Sequence, residues 1–237
     1  MDLGIVGLPR SGKTTLFNAV TRGAAQTATF SSGTKPNIGV AKVPDPRLQL
    51  LTDMFVSKST VAAEVTYVDI PPAPEGLGQT RGISGEYLNH LQRADALVIV
   101  VRAFEDPSVA DDGRGVDPYR DVETMLYELT FADLEILDRK LARLSDGKKS
   151  AKTADRQNIE REEDLILRLK QGLEDGTPIG GQTLLPDERR LIEGYQFLTA
   201  KPIIVVANAG EDQLGDLPSI EERLASDFGS EWTLTAA

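Results

Sequence analysis

Eight residues near the N-terminus, GLPRSGKT at 7–14, have the types and spacing needed to hold a phosphate chain. They fit the pattern G-x-x-x-x-G-K-[ST], in which backbone amides wrap phosphate oxygens. In that pattern Lys13 reaches the outer phosphates and the Thr14 hydroxyl binds Mg²⁺. The alternative is a glycine-rich turn without function, but the apolar run before it and the helical pattern after it favour phosphate binding. The predicted phosphate-binding residues are Gly7, Leu8, Pro9, Arg10, Ser11, Gly12, Lys13, Thr14 and Thr15.

Two further side chains are predicted to complete a Mg²⁺ site with Thr14. Asp69 closes the apolar run AAEVTYVDI at 62–70. A carboxylate at the end of a strand facing such a loop holds Mg²⁺, often through water, and a helix or turn cap is the alternative. Thr34, in SSGTKPNIGV, is a hypothesis for the threonine that joins the metal shell when a γ-phosphate is bound. Ser/Thr-rich loops without this role are common.

The apolar run KPIIVVANA at 201–209 leads into a loop that is predicted to contact a nucleotide base. In ordinary GTPases this loop reads N-K-x-D: the aspartate accepts two hydrogen bonds from guanine, and the lysine stem covers the base. Here Asn208 and Glu211 hold the polar positions, and Ala209 has no stem. The longer Glu211 side chain is expected to relax the selection of guanine. A loop that has lost base selectivity, or a one-residue shift that presents Asp212, is the alternative.

The elements that position these residues follow from the hydrophobic pattern. Apolar runs at 3–8, 62–70, 96–104 and 201–209 alternate with helical stretches. Three of the runs are continuous, as expected of strands that are covered on both faces. The pattern predicts an α/β fold with a mostly parallel sheet.

Long helices replace this alternation between residues 119 and 198. Two amphipathic stretches meet around SDGKKSAK and predict an antiparallel hairpin, and a third helix begins near Pro186. The hairpin is therefore an insertion between two strands of the sheet. We expect a phosphate-binding domain at 1–118 and 199–237 and a helical hairpin insertion at 119–198.

Composition excludes several classes of function. The chain has 237 residues, 40% of them apolar, and a net charge of −11, which argues against a surface that grips nucleic acid or membrane as a whole. It has no cysteine for a thiolate metal site or nucleophile. Because we find neither a signal peptide nor a run of about 18 apolar residues, we expect a cytoplasmic protein. The single histidine, His90, is expected to face solvent.

One basic cluster contrasts with the acidic whole. Between residues 139 and 156, seven basic residues stand against two acidic ones, a net charge of +5. A solvated helix face is the ordinary explanation, and a contact with RNA or the ribosome is the alternative. The members are Arg139, Lys140, Arg143, Lys148, Lys149, Lys152 and Arg156.

Several of these stretches together resemble the Obg-like ATPase family, known in bacteria as YchF. The resemblance is carried, in chain order, by GIVGLPRSGKTTLFNAVT, TKPNIGVAKVPDPRL, VDI, ADALVIVVRAFED, VDPYRDVETMLYELTFADLE and LTAKPIIVVANAGED. It implies a P-loop NTPase (G) domain with an inserted helical hairpin, which binds Mg²⁺ with ATP or GTP and hydrolyses the nucleotide slowly as a translation-associated switch. The family also has a C-terminal TGS domain that these 237 residues lack, so we expect a truncated or diverged chain.

Two departures from the family pattern bear on catalysis. The family has Asp-Ile-Ala-Gly-Leu where this chain has DIPPA at 69–73, and Pro72 has no amide hydrogen to donate to a γ-phosphate. The family sequence GLPN is GLPR here, and Arg10 is predicted to place a fixed cation at the transferring phosphate. The alternative is that Arg10 points to solvent or pairs with a carboxylate such as Asp45.

The leading hypothesis is therefore a weak NTPase with Lys13 and Arg10 as its catalytic residues. A nucleotide-responsive binding module with negligible hydrolysis is the alternative, because Pro72 removes a phosphate contact. A P-loop kinase is not supported, since the sequence contains no recognisable lid or acceptor site.

Overall fold

The structure is a computed structural model that describes residues 1–23, 36–71, 83, 85–106, 115–150, 152–228 and 233–234. Within these residues the strands are β1 (Asp2–Val6), β2 (Asn37–Lys42), β3 (Glu64–Asp69), β4 (Ala96–Arg102), β5 (Ile203–Asn208) and β6 (Thr233–Leu234). They form one sheet in the order β2-β3-β1-β4-β5-β6. Only the β2–β3 pair among them is antiparallel, so the predicted α/β fold with a mostly parallel sheet is confirmed.

The helices in the described part of the chain are α1 (Lys13–Thr21), α2 (Pro46–Phe55), α3 (Gly85–Arg93), α4 (Pro118–Ser150), α5 (Thr153–Glu174), α6 (Pro186–Glu193) and α7 (Leu217–Phe228). Short 3₁₀ turns lie at Ile179–Gly181 and Glu211–Gln213. Among the described helices, none is both long and apolar enough to span a membrane.

The sheet forms the core because its central strands are apolar on both faces. In β4, every residue of ALVIVV is buried. One face packs against α3 and the first half of α4, and the other packs against Phe17 of α1. The strands β1, β3, β4 and β5 lie within or next to the apolar runs in the sequence.

The edge of the sheet was not apparent from the sequence. Strand β2 contains only exposed and half-buried residues, so NIGVAK gives no continuous apolar signal. Helix α2 buries none of its residues, and Leu50, Met54 and Phe55 are all largely exposed. Asp45 caps this helix by accepting a hydrogen bond from the amide of Arg47 at 2.9 Å.

Helix α4 belongs to two cores in succession. Val122 and Leu129 in its first half are fully buried against the sheet, whereas Leu137 packs in a second core with Ile166 and Leu169 of α5. The long helices of the predicted hairpin are thus present as α4 and α5. The division into domains at 1–118, 119–198 and 199–237 stays a proposal, with the first half of α4 packed on the sheet side.

Asp133 lies between these two cores and ties α4 to the segment before β5. Its carboxylate accepts hydrogen bonds from the amides of Leu198 and Thr199, both at 2.8 Å, and from Oγ1 of Thr199 at 2.7 Å. Burial raises the pKa of Asp133 to about 6, although these donors act in the opposite direction. Such donors are what a buried carboxylate requires.

Candidate nucleotide site

The loop GLPRSGKT joins the carboxyl end of β1 to α1 and depends on two glycines. Gly7 has φ 152° and Gly12 has φ 95°, values that side chains disfavour. A Cβ at Gly7 would collide with the carbonyl oxygen of Val100 in β4, and one at Gly12 would collide with the side-chain amide of Asn208. Arg10 also has a left-handed backbone, with φ 66°. The loop is therefore fixed by its contacts with β4 and β5.

Lys13 lies across this loop with its side chain almost completely buried. Its Nζ donates hydrogen bonds to the carbonyl oxygens of Gly7 at 3.1 Å and Leu8 at 2.9 Å. Burial lowers the pKa of Lys13 to about 8, and the negative charge of Asp69 opposes this shift. A bound anion stabilises the charged form of an ammonium group that is desolvated in this way. This matches the predicted role of Lys13 at the outer phosphates.

Thr14 and Asp69 meet because β1 and β3 are parallel neighbours whose carboxyl ends coincide. Thr14 Oγ1 donates to Asp69 Oδ2 at 2.9 Å, and Asp69 is buried. The side-chain amide of Asn37 donates to the same oxygen at 3.1 Å. Hydroxyl and carboxylate oxygens are the ligands that Mg²⁺ prefers, so the donor set fits this metal.

The described residues contain no cluster of three or more His, Cys, Asp or Glu side chains that could hold a metal ion. A Mg²⁺ ion at Thr14 and Asp69 would therefore need further oxygens from phosphates and water, which is how this ion is usually bound. The predicted third ligand, Thr34, lies outside the described residues, and so do Pro72 and Ala73.

The predicted base loop is attached to the phosphate loop. Asn208 Nδ2 donates to the carbonyl oxygen of Ser11 at 3.0 Å. Glu211 is exposed in the 3₁₀ turn that follows, and Asp212 is exposed beside it. The structure thus brings Asn208 to the phosphate loop and leaves the Glu211 carboxylate accessible.

Gln213 holds the base loop in place and was missed by sequence reasoning. Its Nε2 donates to the carbonyl oxygen of Ala103 at 2.8 Å, and its Oε1 accepts a hydrogen bond from the amide of Gly210 at 2.9 Å. A glutamine two residues after Glu211 is not part of any motif recognised in the sequence. Only the spatial proximity of the chain after β4 reveals the role of Gln213.

The remaining residues that were predicted to bind phosphate differ in how exposed they are. Ser11 is buried and Leu8 is half-buried, whereas Pro9, Arg10 and Thr15 are exposed. Asp45, considered above as a partner for Arg10, forms an ion pair with Arg47 at 2.6 Å. His90 is half-buried rather than fully solvent-facing.

The basic cluster around the hairpin tip is partly neutralised in the folded chain. The count over 139–156 omits the acidic side chains of α5, which lie opposite α4. Four of the seven basic residues pair with carboxylates. These pairs are Lys140–Glu162 at 2.8 Å, Lys148–Glu163 at 2.9 Å, Lys149–Asp146 at 2.8 Å and Arg156–Glu160 at 3.6 Å. Arg139, Arg143 and Lys152 are exposed.

A phosphate-binding loop between β1 and α1, a carboxylate at the end of β3 and an asparagine loop after β5 together define a P-loop NTPase domain. The family model described as 50S ribosome-binding GTPase matches residues 2–136. The chain therefore belongs to this family of GTPase domains and, within it, is an Obg-like (YchF) member.

Individual relatives agree with this assignment. The chain is 37% identical over 226 residues to the ribosome-binding ATPase YchF of Bacillus subtilis, covering 95% of this chain and 60% of that protein. It is 34% identical over 212 residues to Obg-like ATPase 1 of Oryza sativa, covering 89% of this chain and 53% of that protein. The solved YchF GTPase of Schizosaccharomyces pombe superposes with a TM-score of 0.80 at 29% identity, covering 100% of this chain and 65% of that one. The chain thus spans about 60% of the B. subtilis relative's length.

Proposed function

We propose that this chain binds Mg-ATP or Mg-GTP and hydrolyses it slowly as a translation-associated switch. The observation that carries the proposal is the buried Lys13 ammonium, held over the carbonyl oxygens of Gly7 and Leu8, next to the hydrogen-bonded Thr14 and Asp69. Relatives named ATPase and GTPase support the same activity.

Mg²⁺ would be held by Thr14 and Asp69, with Thr34 as the proposed further ligand. When bound there, the ion would supply positive charge to the phosphate chain. Lys13 would add a second positive charge at the loop, and the backbone N–H groups of the loop would orient the phosphates. These groups favour the transfer of the terminal phosphoryl group, because they stabilise the charge that develops on its oxygens.

The base is proposed to lie beside Asn208 and Glu211. In this arrangement Asn208 fixes the loop through Ser11, and Glu211 contacts the edge of the base. ATP is expected to bind at least as well as GTP, since the N-x-x-E loop lacks the aspartate and lysine that select guanine.

Calorimetric titration with ADP, GDP and their non-hydrolysable triphosphate analogues, with and without Mg²⁺, tests this proposal. We expect binding that Mg²⁺ strengthens for the triphosphates, and loss of most of the affinity in folded Lys13→Ala. The proposal would be contradicted if folded Lys13→Ala bound ATP and GTP as tightly as the wild type does. Single-turnover hydrolysis separates a slow NTPase from the alternative binding module, which would keep its triphosphate intact for hours.

Arg10 is proposed as a cation that acts on the transferring phosphate. It occupies the position between Pro9 and Ser11 in the phosphate loop and is exposed there. A guanidinium in this place would provide fixed positive charge where negative charge builds up in the transition state.

A ribosome or RNA contact through the hairpin tip is also a proposal, supported by relatives that are named ribosome-binding. The ion pairs of Lys140 with Glu162 and of Lys148 with Glu163 reduce the net positive charge of the hairpin tip. Arg143 and Lys152, which are exposed, are therefore the better probes. Co-sedimentation with ribosomes in low salt should fall when Arg143 and Lys152 are changed together to Glu. Co-sedimentation of the wild type should decrease steeply as the salt concentration rises. A cytoplasmic location agrees with this partner and stays a proposal.

The matched control changes Arg189 and Arg190 to Glu, because these exposed residues lie on α6 away from the tip. Equal co-sedimentation of wild type and the Arg143/Lys152 variant would contradict the tip contact. Changing Lys148, Lys149 and Lys152 together to Glu is the broader test, but it also breaks the ion pairs to α5.

A further inference from the structure

The first residue of β2 lies beside the carboxylate that faces the proposed metal. Strands β2 and β3 are antiparallel, and their register pairs Asn37 with Asp69. The side-chain amide of Asn37 donates to Asp69 Oδ2 at 3.1 Å, and Thr14 Oγ1 donates to the same oxygen at 2.9 Å. One carboxylate oxygen thus receives two hydrogen bonds from two different elements.

The close packing of β2 on α1 brings Asn37 to this position. Asn37 and Gly39 point to the same face of β2, since side chains alternate along a strand. A Cβ at Gly39 would come within 2.7 Å of Thr21 Cγ2 and 3.0 Å of Phe17 Cζ, both on α1. The glycine therefore lets β2 lie against α1, and Asn37 two residues earlier reaches Asp69.

We propose that Asn37 is a positioning residue for the metal-facing carboxylate. Two donors on Oδ2 fix the rotation of the Asp69 carboxylate and so set the direction of its other oxygen. The Thr14 hydroxyl donates its hydrogen bond to Asp69, which leaves the lone pairs of the hydroxyl oxygen for a metal. Asn37 thus acts on Mg²⁺ through Asp69 and does not touch the ion itself. This inference rests on the proposed function.

The expected change in Mg²⁺ affinity is that of losing a residue that hydrogen-bonds to a metal ligand without touching the metal. Removing such a partner typically lowers metal affinity by about 10-fold to 100-fold. The effect appears only when the metal is present, because Asn37 makes no proposed contact with the base or the phosphates. A purely structural role would instead weaken nucleotide binding equally with and without Mg²⁺.

The test measures the affinity for a non-hydrolysable ATP analogue by calorimetry, in EDTA and across a range of Mg²⁺ concentrations. For Asn37→Ala we expect the half-saturating Mg²⁺ concentration to rise by about tenfold or more, with affinity in EDTA unchanged. Lys42→Ala is the matched control, since Lys42 is an exposed residue at the other end of β2. Its Mg²⁺ dependence should equal that of the wild type.

A double substitution shows whether Asn37 acts through Asp69. In an Asp69→Ala background, Asn37→Ala should cause no further change in the Mg²⁺ dependence. An unaltered Mg²⁺ curve for Asn37→Ala, or a full additional effect in the double variant, would overturn the inference. A wild type that binds the analogue without any Mg²⁺ dependence would overturn the proposed metal site and this inference with it. Urea unfolding of Asn37→Ala verifies that the variant is folded.

Discussion

The side-chain amide of Asn208 donates a 3.0 Å hydrogen bond to the main-chain carbonyl oxygen of Ser11. This bond joins the loop after β5 to the phosphate loop after β1, two segments almost 200 residues apart in sequence. Ser11 is buried, so its carbonyl oxygen has limited access to water. The parts of the site that are proposed to hold the base and the phosphates are therefore one connected unit.

Gly12→Ala is expected to break this connection. A Cβ at Gly12 would collide with the Asn208 amide, and φ 95° is unfavourable for alanine. We expect ADP affinity to fall at least about tenfold, which corresponds to the loss of one good hydrogen bond. Gly215→Ala is the control, because nothing lies within 4 Å of a Cβ there. Wild-type ADP affinity in Gly12→Ala would contradict the prediction.

Nucleotide affinity is expected to fall at alkaline pH because of Lys13. Burial lowers the pKa of Lys13 to about 8, and bound phosphates raise this pKa. Binding above that pH therefore takes up a proton, and the affinity falls by up to about tenfold per pH unit. Calorimetry in buffers of different ionisation enthalpy detects the proton. Lys13→Arg keeps its charge and should bind with a flat pH profile, and a flat wild-type profile would show that the prediction is wrong.

Base selectivity is expected to depend on Ala209 and Glu211. Changing Ala209 to Lys and Glu211 to Asp restores the stem and the shorter carboxylate of the guanine-reading loop. The preference should move toward GDP by about 1 to 3 kcal/mol, as measured by competition between ADP and GDP. A wild type that already prefers GDP over ADP by more than about tenfold, or about 1.4 kcal/mol, would refute this interpretation of the loop.

Arg10 is expected to supply, at the transferring phosphate, the positive charge that a bound monovalent cation such as K⁺ would otherwise supply during hydrolysis. Single-turnover rates should not change when K⁺ replaces Na⁺, and Arg10→Ala should slow the chemical step at least about tenfold with little loss of Mg-ADP affinity. Arg10→Asn should recover part of the rate only in K⁺. It also relieves the left-handed backbone at φ 66°, which asparagine tolerates better. Strong activation of the wild type by K⁺ would exclude the role.

Asp133→Asn is expected to destabilise the fold without changing nucleotide affinity. The carboxylate accepts hydrogen bonds from the amides of Leu198 and Thr199 on two different oxygens, whereas a side-chain amide has only one acceptor oxygen. One buried N–H therefore loses its acceptor in the variant. The free energy of unfolding should fall by about 1 to 3 kcal/mol in urea titrations. An unchanged unfolding midpoint would contradict this account.

The pH dependence of that loss has a defined sign. The folded-state pKa of Asp133 is raised to about 6, above the ordinary value of 3.8, so the folded chain binds more protons than the unfolded chain between these values. The contribution of Asp133 to stability is therefore fully present at low pH and declines as the pH rises toward 6. The deficit of Asp133→Asn should accordingly be larger near pH 4 than near pH 7.

Local patterns in the sequence were sufficient to predict the strands that carry the site. The continuous apolar run of β4 and the motif around Lys13 both depend on neighbouring residues, and both were found. Asn37 and Gln213 were not found, because their roles depend on register with β3 and on contact with the chain after β4. The charge of the hairpin tip was overestimated for the same reason: Glu162 and Glu163 are distant in sequence but oppose α4 in space.

Helix α4 runs without interruption from Pro118 to Ser150, 33 residues or about 50 Å. About 25 Å of that length extends beyond Asp133, which is hydrogen-bonded to the segment before β5. If α4 tilted as a rigid rod by 10° about Asp133, its far end would be displaced by about 4 Å. Such a tilt would start where the first half of α4 packs on β4, the strand that lies between β1 and β5 with their two loops.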